Sequence, residues 1–129
     1  MTDIPLLKEK LAQACRVIGL LDLTKATTGH LSLRIPGTDH FLIRARGDFE
    51  SGVRFTAADD VITVDLNGKK IEGREDLSPP REVFIHTWLY KTRPNIGAVV
   101  HAHPPTLMLF TVCICYLFPD LVLYIPFKL

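Results

Sequence analysis

Apolar residues at three- and four-residue spacing near the start of the chain predict an amphipathic helix. They are Leu7, Leu11, Cys15 and Ile18. Because this spacing returns to one side of a 3.6-residue helix, we expect that side to pack on a sheet. Asp3 is a residue type that favours a helix N-cap, and Pro5 lies near the first turn, where proline is tolerated.

The pattern then changes to the two-residue period of β-strands. Leu31, Leu33 and Ile35 alternate with polar residues, which predicts a half-buried strand. Turn-forming residues at 36–39 lead to His40 to Arg46, which we expect to pair with the first strand as a hairpin.

A second hairpin is predicted after a short capped turn at Thr56 to Asp59. Residues 61–66 alternate again and end at Asn67-Gly68, a dipeptide typical of tight hairpin turns. Lys69 to Glu72 should return as an edge strand.

A polar loop that ends in two prolines leads to a second helix, predicted from about Arg81 to Thr92. This helix places Glu82, His86 and Tyr90 four residues apart, on one face.

Ile96 to His101 is a short apolar run of the kind found in buried strands, and Thr106 is a residue type that could cap a further helix from about Leu107. The order is helix, antiparallel strands, helix, strand, helix. It predicts an α/β fold: a layered sandwich with a mostly antiparallel central sheet covered by helices.

Length and charge restrict the function classes. The chain has 129 residues, enough for one domain, and 15 Lys+Arg against 14 Asp+Glu give a formal charge of +1. We therefore expect neither nucleic acid nor an anionic membrane as the main partner. Cys15, Cys113 and Cys115 form an odd, sparse set without a CxxC pair, which indicates a reducing, cytoplasmic location.

Charge is nearly absent from the end of the chain, since residues 104–129 hold only Asp120 and Lys128. The segment from Leu107 to Phe127 is long and apolar enough to meet a simple hydropathy criterion for a membrane-spanning helix. However, Pro119 and Asp120 interrupt it, so we expect buried core, or core without its partner, rather than a membrane segment.

The most informative motif is His101-x-His103 together with Glu82. Residues i and i+2 of a strand face the same side, so both imidazoles can point at one site. Imidazole suits zinc, and a catalytic zinc site takes three protein ligands and keeps one position open. Glu82 could serve there as a ligand or as a general acid/base. Taken alone, two histidines at a strand end are more often only solvated or hydrogen bonded.

The second helix and the run after it resemble the core of the class II aldolase/adducin family. The elements that carry the resemblance are Glu82, His86-x-x-x-Tyr90 and His101-x-His103-Pro104, in this order. The family contains zinc-dependent sugar-phosphate aldolases, ribulose-phosphate 4-epimerases, related decarboxylases and the non-enzymatic adducin head domain. The resemblance covers about residues 5–112.

The resemblance implies a metal site and an acid/base. It makes His101 and His103 ligands of zinc or another divalent metal, and Glu82 the acid/base that also approaches the metal. It further implies the class II aldolase fold, a small-molecule substrate and a homo-oligomer with sites at subunit interfaces.

Five positions fall on turns that bind substrate anions in the family: Gly29, His30, Arg46, Gly47 and Arg81. Family members usually have Gly-Asn, Thr-Gly and Ser-Ser in these turns, where this chain has Gly-His, Arg-Gly and Pro-Arg. A carboxylate is therefore as plausible a substrate group as a phosphate.

The resulting hypothesis is a metal-dependent carbon–carbon lyase, of the aldolase or decarboxylase type, for a small hydroxy-carbonyl or hydroxy-acid substrate. The metal would stabilise an enediolate as Glu82 moves the proton. The alternative is a non-catalytic, adducin-like or degenerate interaction module.

The resemblance fades near Cys113, so we predict a family domain over residues 1–113 and a divergent apolar tail over 114–129. The family's third metal histidine is missing, since none of the 26 residues after His103 is a histidine. A truncated or frame-disrupted copy of a longer gene would explain this, as would a short variant completed by a partner chain. We favour truncation, because an uncovered apolar tail promotes aggregation.

The remaining aromatic and basic residues are interpreted as structural. We expect His86 to hold Glu82 or the sheet in place, and Trp88 and Tyr90 to pack in the core. Three arginines are interpreted as a solvated face: Arg44, Arg46 and Arg54.

Overall fold

One antiparallel sheet forms the centre of the molecule in the computed structural model, which describes residues 2–109. Its strands are β1 (His30–Arg34), β2 (His40–Arg44), β3 (Val61–Asp65), β4 (Lys70–Glu72) and β5 (Ala98–His101). Their order across the sheet is β4-β3-β2-β1-β5, and each neighbouring pair is antiparallel. Both predicted hairpins are therefore present, with β4 at one edge.

Two helices cover opposite faces of this sheet: α1 (Ile4–Leu20) and α2 (Val83–Thr92). The Asp3 side chain caps α1 by accepting the N–H of Leu6 at 3.0 Å, as its residue type predicts. One core lies under α1 and comprises Leu11, Cys15, Ile18, Leu31, Ile35, Leu42, Val53 and Val61. The core on the α2 side comprises Phe41, Ile43, Ala45, Ile62, Val64, Leu77, Val83, Tyr90 and Val99. The layered α/β sandwich is thus confirmed.

Two helices begin two residues away from the predicted positions. Helix α2 begins at Val83 rather than Arg81, which makes Glu82 its N-cap residue instead of a member of its first turn. A short helical segment at 105–109 begins before Thr106, so Thr106 is not its cap. Its first described backbone bond runs from the N–H of Met108 to the carbonyl of Pro104, at 2.9 Å.

The burial of strands β1 and β5 differs from the prediction. Strand β1 was predicted to expose its polar side, but Ser32 on that side is only 1% exposed because α2 covers it. Strand β5 was predicted to be a buried strand, but it lies at the sheet edge, and Val100 is 57% exposed. His30 and Ser32 of β1 are therefore interior residues, whereas Val99 is the one buried residue of β5.

The prediction of a solvated face of arginines is wrong for one of the three residues. Arg44 is buried and pairs with Glu50, with Nη2 and Oε2 2.6 Å apart, so it does not belong to a solvated face. Arg46 and Arg54 are exposed, as expected.

The outer face of α2 is apolar and open to solvent. Tyr90 packs in the core as predicted, but Trp88 is 67% exposed, and Phe84, Ile85 and Leu89 are also exposed beside it. Trp88 was therefore wrongly predicted to be a core residue.

Some of the sequence predictions fall outside residues 2–109. These are the domain boundary at residue 113, the apolar tail over 114–129, and the roles of Cys113 and Cys115. Within the described part of the chain, no helix is both long enough and apolar enough to cross a bilayer.

Candidate metal and acid-base site

Three titratable side chains meet at one end of the sheet. His30 is the first residue of β1 and is paired with His101, the last residue of β5, while Glu82 stands at the start of α2. One potential ligand atom from each of these residues lies within 4.8 Å of the others. The sequence predicted that Glu82 and His101 would share a site. It assigned His30 to an anion-binding turn, whereas the structure places this side chain in the same cluster.

His103 joins the cluster through His101. The Nε2 atoms of the two rings are 2.9 Å apart, and the backbone N–H of His103 donates to the carbonyl of Leu23 at 2.8 Å. At this distance one ring donates and the other accepts, so a single proton lies between two nitrogen lone pairs that converge on one point. A cation could take the place of that proton.

A second nitrogen of the cluster has no partner. Nδ1 of His101 is buried without a hydrogen bond, and the nearest acidic atom, Oε2 of Glu82, is 4.0 Å away. An unpaired buried polar atom is costly unless a ligand engages it. The imidazole and carboxylate donors here are those that zinc and similar divalent cations prefer, so the residues present fit such a metal.

Glu82 is held from one side and open on the other. Its Oε2 lies 3.1 Å from Nε2 of His30, yet 57% of the side chain is exposed. The hydrogen bond from His30 lowers the pKa of the Glu82 carboxyl below its ordinary value. Glu82 is therefore a carboxylate at neutral pH, with a free oxygen facing the solvent.

His30 is buried, and both of its ring nitrogens have partners. It is 4% exposed, and its Nδ1 lies 2.7 Å from Nε2 of His86. Burial lowers the pKa of His30, although the neighbouring Glu82 carboxylate opposes this effect. The ring is therefore neutral at neutral pH.

His86 continues the hydrogen-bonded chain into the core. Its side chain is fully buried, its Nδ1 is 2.6 Å from Oγ of Ser32, and that hydroxyl is 2.7 Å from the hydroxyl of Tyr90. Burial lowers the pKa of His86 to about 3 and raises that of Tyr90 to about 12, so both groups stay neutral. The sequence predicted a supporting role for His86. In the structure His86 reaches Glu82 only through His30.

Gly29 allows the turn before β1 to approach β5. Its φ is +85°, and a Cβ atom there would lie 2.4 Å from Cγ2 of Thr24 and 3.1 Å from the carbonyl oxygen of His101. Only glycine adopts this positive φ without strain and has no Cβ atom to clash with Thr24. Gly29 is thus explained by packing around the cluster.

The other predicted anion-binding positions lie at the same end of the sheet but outside the cluster. The exposed Arg46 follows β2, pairs its backbone with Ser78 and donates from Nε to the carbonyl of Pro79 at 3.1 Å. Gly47 packs against Leu77, and Arg81 is exposed immediately before Glu82. These positions therefore lie at the end of the sheet where Glu82 stands, and Arg46 contacts the segment 78–79 that leads to Glu82.

This sandwich, with its histidine and glutamate cluster at one sheet end, has the fold of the class II aldolases. L-fuculose 1-phosphate aldolase from Glaciozyma antarctica matches it with a TM-score of 0.74 and 28% identity, over 83% of this chain and 43% of that protein.

The chain belongs to the Class II Aldolase and Adducin N-terminal domain family, whose profile matches residues 9–123. The match continues past Cys113, where we expected the resemblance to fade. The predicted boundary at 113 itself stays a prediction.

Two curated relatives are enzymes that act on different substrates. A 3,4-dihydroxyphthalate decarboxylase from Arthrobacter keyseri is 46% identical over 76% of this chain and 40% of its own length. A methylthioribulose-1-phosphate dehydratase from Marinobacter nauticus is 32% identical over 74% of this chain and 43% of its own length. The chain thus spans less than half the length of these relatives, and their names place it in a family of lyases.

Proposed function

We propose that this protein is a divalent-metal-dependent carbon–carbon lyase of the decarboxylase type, acting on a small hydroxy acid. The observation that carries the proposal is the position of Glu82. Its ionised carboxylate is held by His30 at 3.1 Å, lies 4.0 Å from the unpaired Nδ1 of His101, and remains open to solvent. Such a group can exchange a proton with a bound molecule next to a metal ion.

In this proposal, His101, His103 and Glu82 hold the metal, with zinc the first choice. Support comes from the donor types and from the contacts on the two nitrogens of His101, with His103 at Nε2 and Glu82 4.0 Å from Nδ1. When bound, a divalent cation polarises the substrate's oxygen atoms and offsets the negative charge that develops on them.

Glu82 begins the reaction as a base because it is ionised. It takes the proton of the substrate hydroxyl and returns it to the carbon that loses its carboxylate. The carbon–carbon bond breaks, CO2 leaves without the bonding electrons, and the electron pair stays on the remaining molecule, whose oxygen takes a proton from water. Proton transfer by such a group contributes roughly 10²- to 10⁴-fold to the rate.

The substrate class follows from the anion-binding turns and from the relatives. Arg81 precedes Glu82 in the sequence and Arg46 lies at the same end of the sheet, and guanidinium groups bind carboxylates with two parallel hydrogen bonds. The decarboxylase relative that is 46% identical acts, by its name, on 3,4-dihydroxyphthalate, a compound with a hydroxyl beside a carboxylate. We therefore assign Gly29, His30, Arg46, Gly47 and Arg81 to the surroundings of a carboxylate substrate.

The test uses the full chain, loaded separately with Zn²⁺, Mn²⁺ and Co²⁺, and measures release of CO2 from 3,4-dihydroxyphthalate. Glu82→Gln should lower the rate about 10²- to 10⁴-fold while metal stays bound. The exposed Glu75 provides the matched control, and Glu75→Gln should leave the rate unchanged. Undiminished turnover in Glu82→Gln would refute the assignment of Glu82.

Metal content is tested in the same preparations. We expect one metal ion per chain, lost in His101→Asn and retained in His40→Asn, because His40 begins β2 at the other end of the sheet. A folded chain that binds no divalent metal would contradict the proposal.

The exposed apolar face of α2 favours a second candidate, a non-catalytic interaction module. Phe84 and Trp88 are 60% and 67% exposed, and aromatic residues on an open face are typical of association surfaces. Folded, metal-free protein that associates through this face would support this candidate. A cytoplasmic homo-oligomer stays our prediction under either function.

A further inference from the structure

We propose that Phe49 is a specificity-determining residue that contacts the ring of an aromatic hydroxy acid bound next to Glu82. This inference deepens the proposed function, on which it rests for the location of the binding site. It narrows the substrate class from small hydroxy acids to aromatic ones.

Phe49 has the most exposed large apolar side chain among the described residues 2–109. Its exposed fraction is 94%, and the next highest value is 67%, for Trp88 and Leu109. The ring belongs to neither of the two cores. An apolar ring in water gains free energy when another apolar surface covers it, roughly in proportion to the area removed from water. The Phe49 ring is therefore available for contact with a bound molecule.

The loop of residues 47–52 carries this ring and is anchored at both ends by backbone hydrogen bonds. Before the loop, Arg46 and Ser78 exchange two bonds, each 2.9 Å long. After the loop, the N–H of Val53 donates to the carbonyl of Ala26 at 3.0 Å. The loop therefore connects two separate segments of the chain, one at residue 78 and one at residue 26.

These two segments lead directly to the candidate site. Ser78 lies four residues before Glu82, and Ala26 lies four residues before His30. The side chains of Glu82 and His30 meet with Oε2 and Nε2 3.1 Å apart. The loop of residues 47–52 thus spans the two segments that converge in the site, and its exposed ring stands at the same end of the sheet.

Glu50 holds the loop on the side facing the protein. Its Oε2 lies 2.6 Å from Nη2 of the buried Arg44, and the Glu50 side chain is only 15% exposed. The N–H of Glu50 also donates to the carbonyl of Gly47 at 3.3 Å, which closes a turn with Phe49 inside it. An anchored turn presents its outward side chain at a small entropic cost on binding. Phe49 is therefore a preorganised contact.

The neighbouring arginine completes the recognition of an aromatic acid. Arg46, which we propose as a carboxylate-binding residue, lies three residues before Phe49 and is fixed by the bond from its Nε to the carbonyl of Pro79. Small-molecule sites combine apolar or aromatic contacts with a few polar groups. The histidine and glutamate cluster supplies only polar groups, and Phe49 supplies the ring contact that an aromatic acid requires.

The binding test uses calorimetry of 3,4-dihydroxyphthalate with the full chain loaded with Zn²⁺. Phe49→Ala should raise the Kd about 2- to 12-fold, the factor that corresponds to the free energy of one aromatic pair. Phe49→Tyr should restore the original Kd because it keeps the ring, whereas Phe49→Leu should not. An unchanged Kd in Phe49→Ala, or full restoration by leucine, would overturn the proposal.

Phe84→Ala is the matched control. Phe84 is 60% exposed, and its ring lies against Gly68 in the turn between β3 and β4, at the opposite end of the sheet from His30. We expect no change in Kd for this variant. A loss equal to that of Phe49→Ala would show that the effect does not come from a contact at the site, and would overturn the proposal.

Steady-state kinetics separates a substrate contact from a general disturbance. Phe49 touches the ring and not the reacting atoms, so Phe49→Ala should raise KM by the same factor and leave kcat unchanged. A lower kcat at constant KM would contradict the assigned role.

The outcomes also distinguish this inference from the proposed function. Binding that depends on Phe49 without release of CO2 would refute the lyase activity and support the contact. Release of CO2 with equal Kd and KM in Phe49→Ala would support the activity and overturn the contact. Absence of binding to the unaltered, metal-loaded chain would overturn both.

Discussion

His30 and His101 lie directly opposite each other in the pairing of β1 with β5, and their rings meet edge to face with centroids 4.6 Å apart. The candidate site therefore depends on the register of these two strands. A shift by one residue would send one of the two side chains to the opposite face of the sheet. Gly29 lies immediately before β1 at this point, and a Cβ atom there would lie 3.1 Å from the carbonyl oxygen of His101.

Gly29→Ala should destabilise the protein more than a glycine substitution at an open position. The new Cβ would meet Thr24 at 2.4 Å and would also force a positive φ of +85° on alanine. We expect a loss of about 2 to 4 kcal/mol in the free energy of unfolding. Gly37→Ala carries a similar backbone penalty at φ +74° but has open space, so about 1 kcal/mol is expected there. Urea unfolding measures both, and equal losses would contradict the packing argument.

Ser32→Ala should cost more stability than Tyr90→Phe. The first change leaves two buried groups without partners, Nδ1 of His86 and the hydroxyl of Tyr90, for an expected loss of about 2 to 4 kcal/mol. The second removes one donor from Ser32, whose hydroxyl still donates to His86, and should cost about 0.5 to 1.5 kcal/mol. Chemical denaturation of the two variants checks the order, and the reverse order would contradict a Ser32 hydroxyl that bonds both His86 and Tyr90.

Acid should destabilise the fold through His86. Its pKa is about 3 in the folded chain against 6.5 for an exposed histidine, so the unfolded state binds more protons between these values. Stability is thus fully present above pH 6.5 and falls toward pH 3, by at most about 1.4 kcal/mol per pH unit. Unfolding curves at several pH values measure this slope. Protonation of His86 near pH 6 in the folded chain, seen by NMR, would show that the ring is not desolvated as described.

Glu50→Ala should be far more damaging than removal of a surface carboxylate. Glu50 pairs at 2.6 Å with Arg44, whose side chain is 4% exposed, so the variant leaves a buried cation without its counter-charge. We expect a loss of about 3 kcal/mol. Asp76 pairs with Arg74 where both side chains are 50% exposed, and Asp76→Ala should cost below about 1 kcal/mol. Similar losses in the two variants would mean that Arg44 is solvated.

Local sequence rules predicted the elements well where one short-range interaction decides the structure. Asp3 caps α1, and the Asn67-Gly68 turn forms with φ +83° at the glycine. Asp65 holds that turn by accepting the N–H groups of Asn67 and Lys69 at 2.8 and 2.9 Å. Two of the residues proposed for the metal, Glu82 and His101, were also predicted to approach each other, and their atoms are 4.0 Å apart.

The prediction failed where polar residues are buried against other polar residues. His30 was predicted to lie in a turn and Arg44 on a solvated face, and Ser32 was predicted to face solvent because a two-residue period assigns polar residues of a half-buried strand to that side. Each is satisfied by a partner distant in the sequence or across a loop: His86 for His30 and Ser32, and Glu50 for Arg44. The one available signal was the spacing of Glu82, His86 and Tyr90, which places three polar groups on one side of α2.

The polar contacts between β1 and α2 also specify how the helix docks. Apolar side chains tolerate a small slide of one layer over another, because one hydrophobic contact replaces the next at little cost. A slide of α2 by one turn would leave Ser32, His86 and Tyr90 buried without partners, and each orphaned group costs about 1 to 3 kcal/mol. The position of Glu82 is therefore determined by the core. The buried hydroxyl and imidazole groups allow one docked position of α2, and this position fixes where Glu82 stands at the start of the helix.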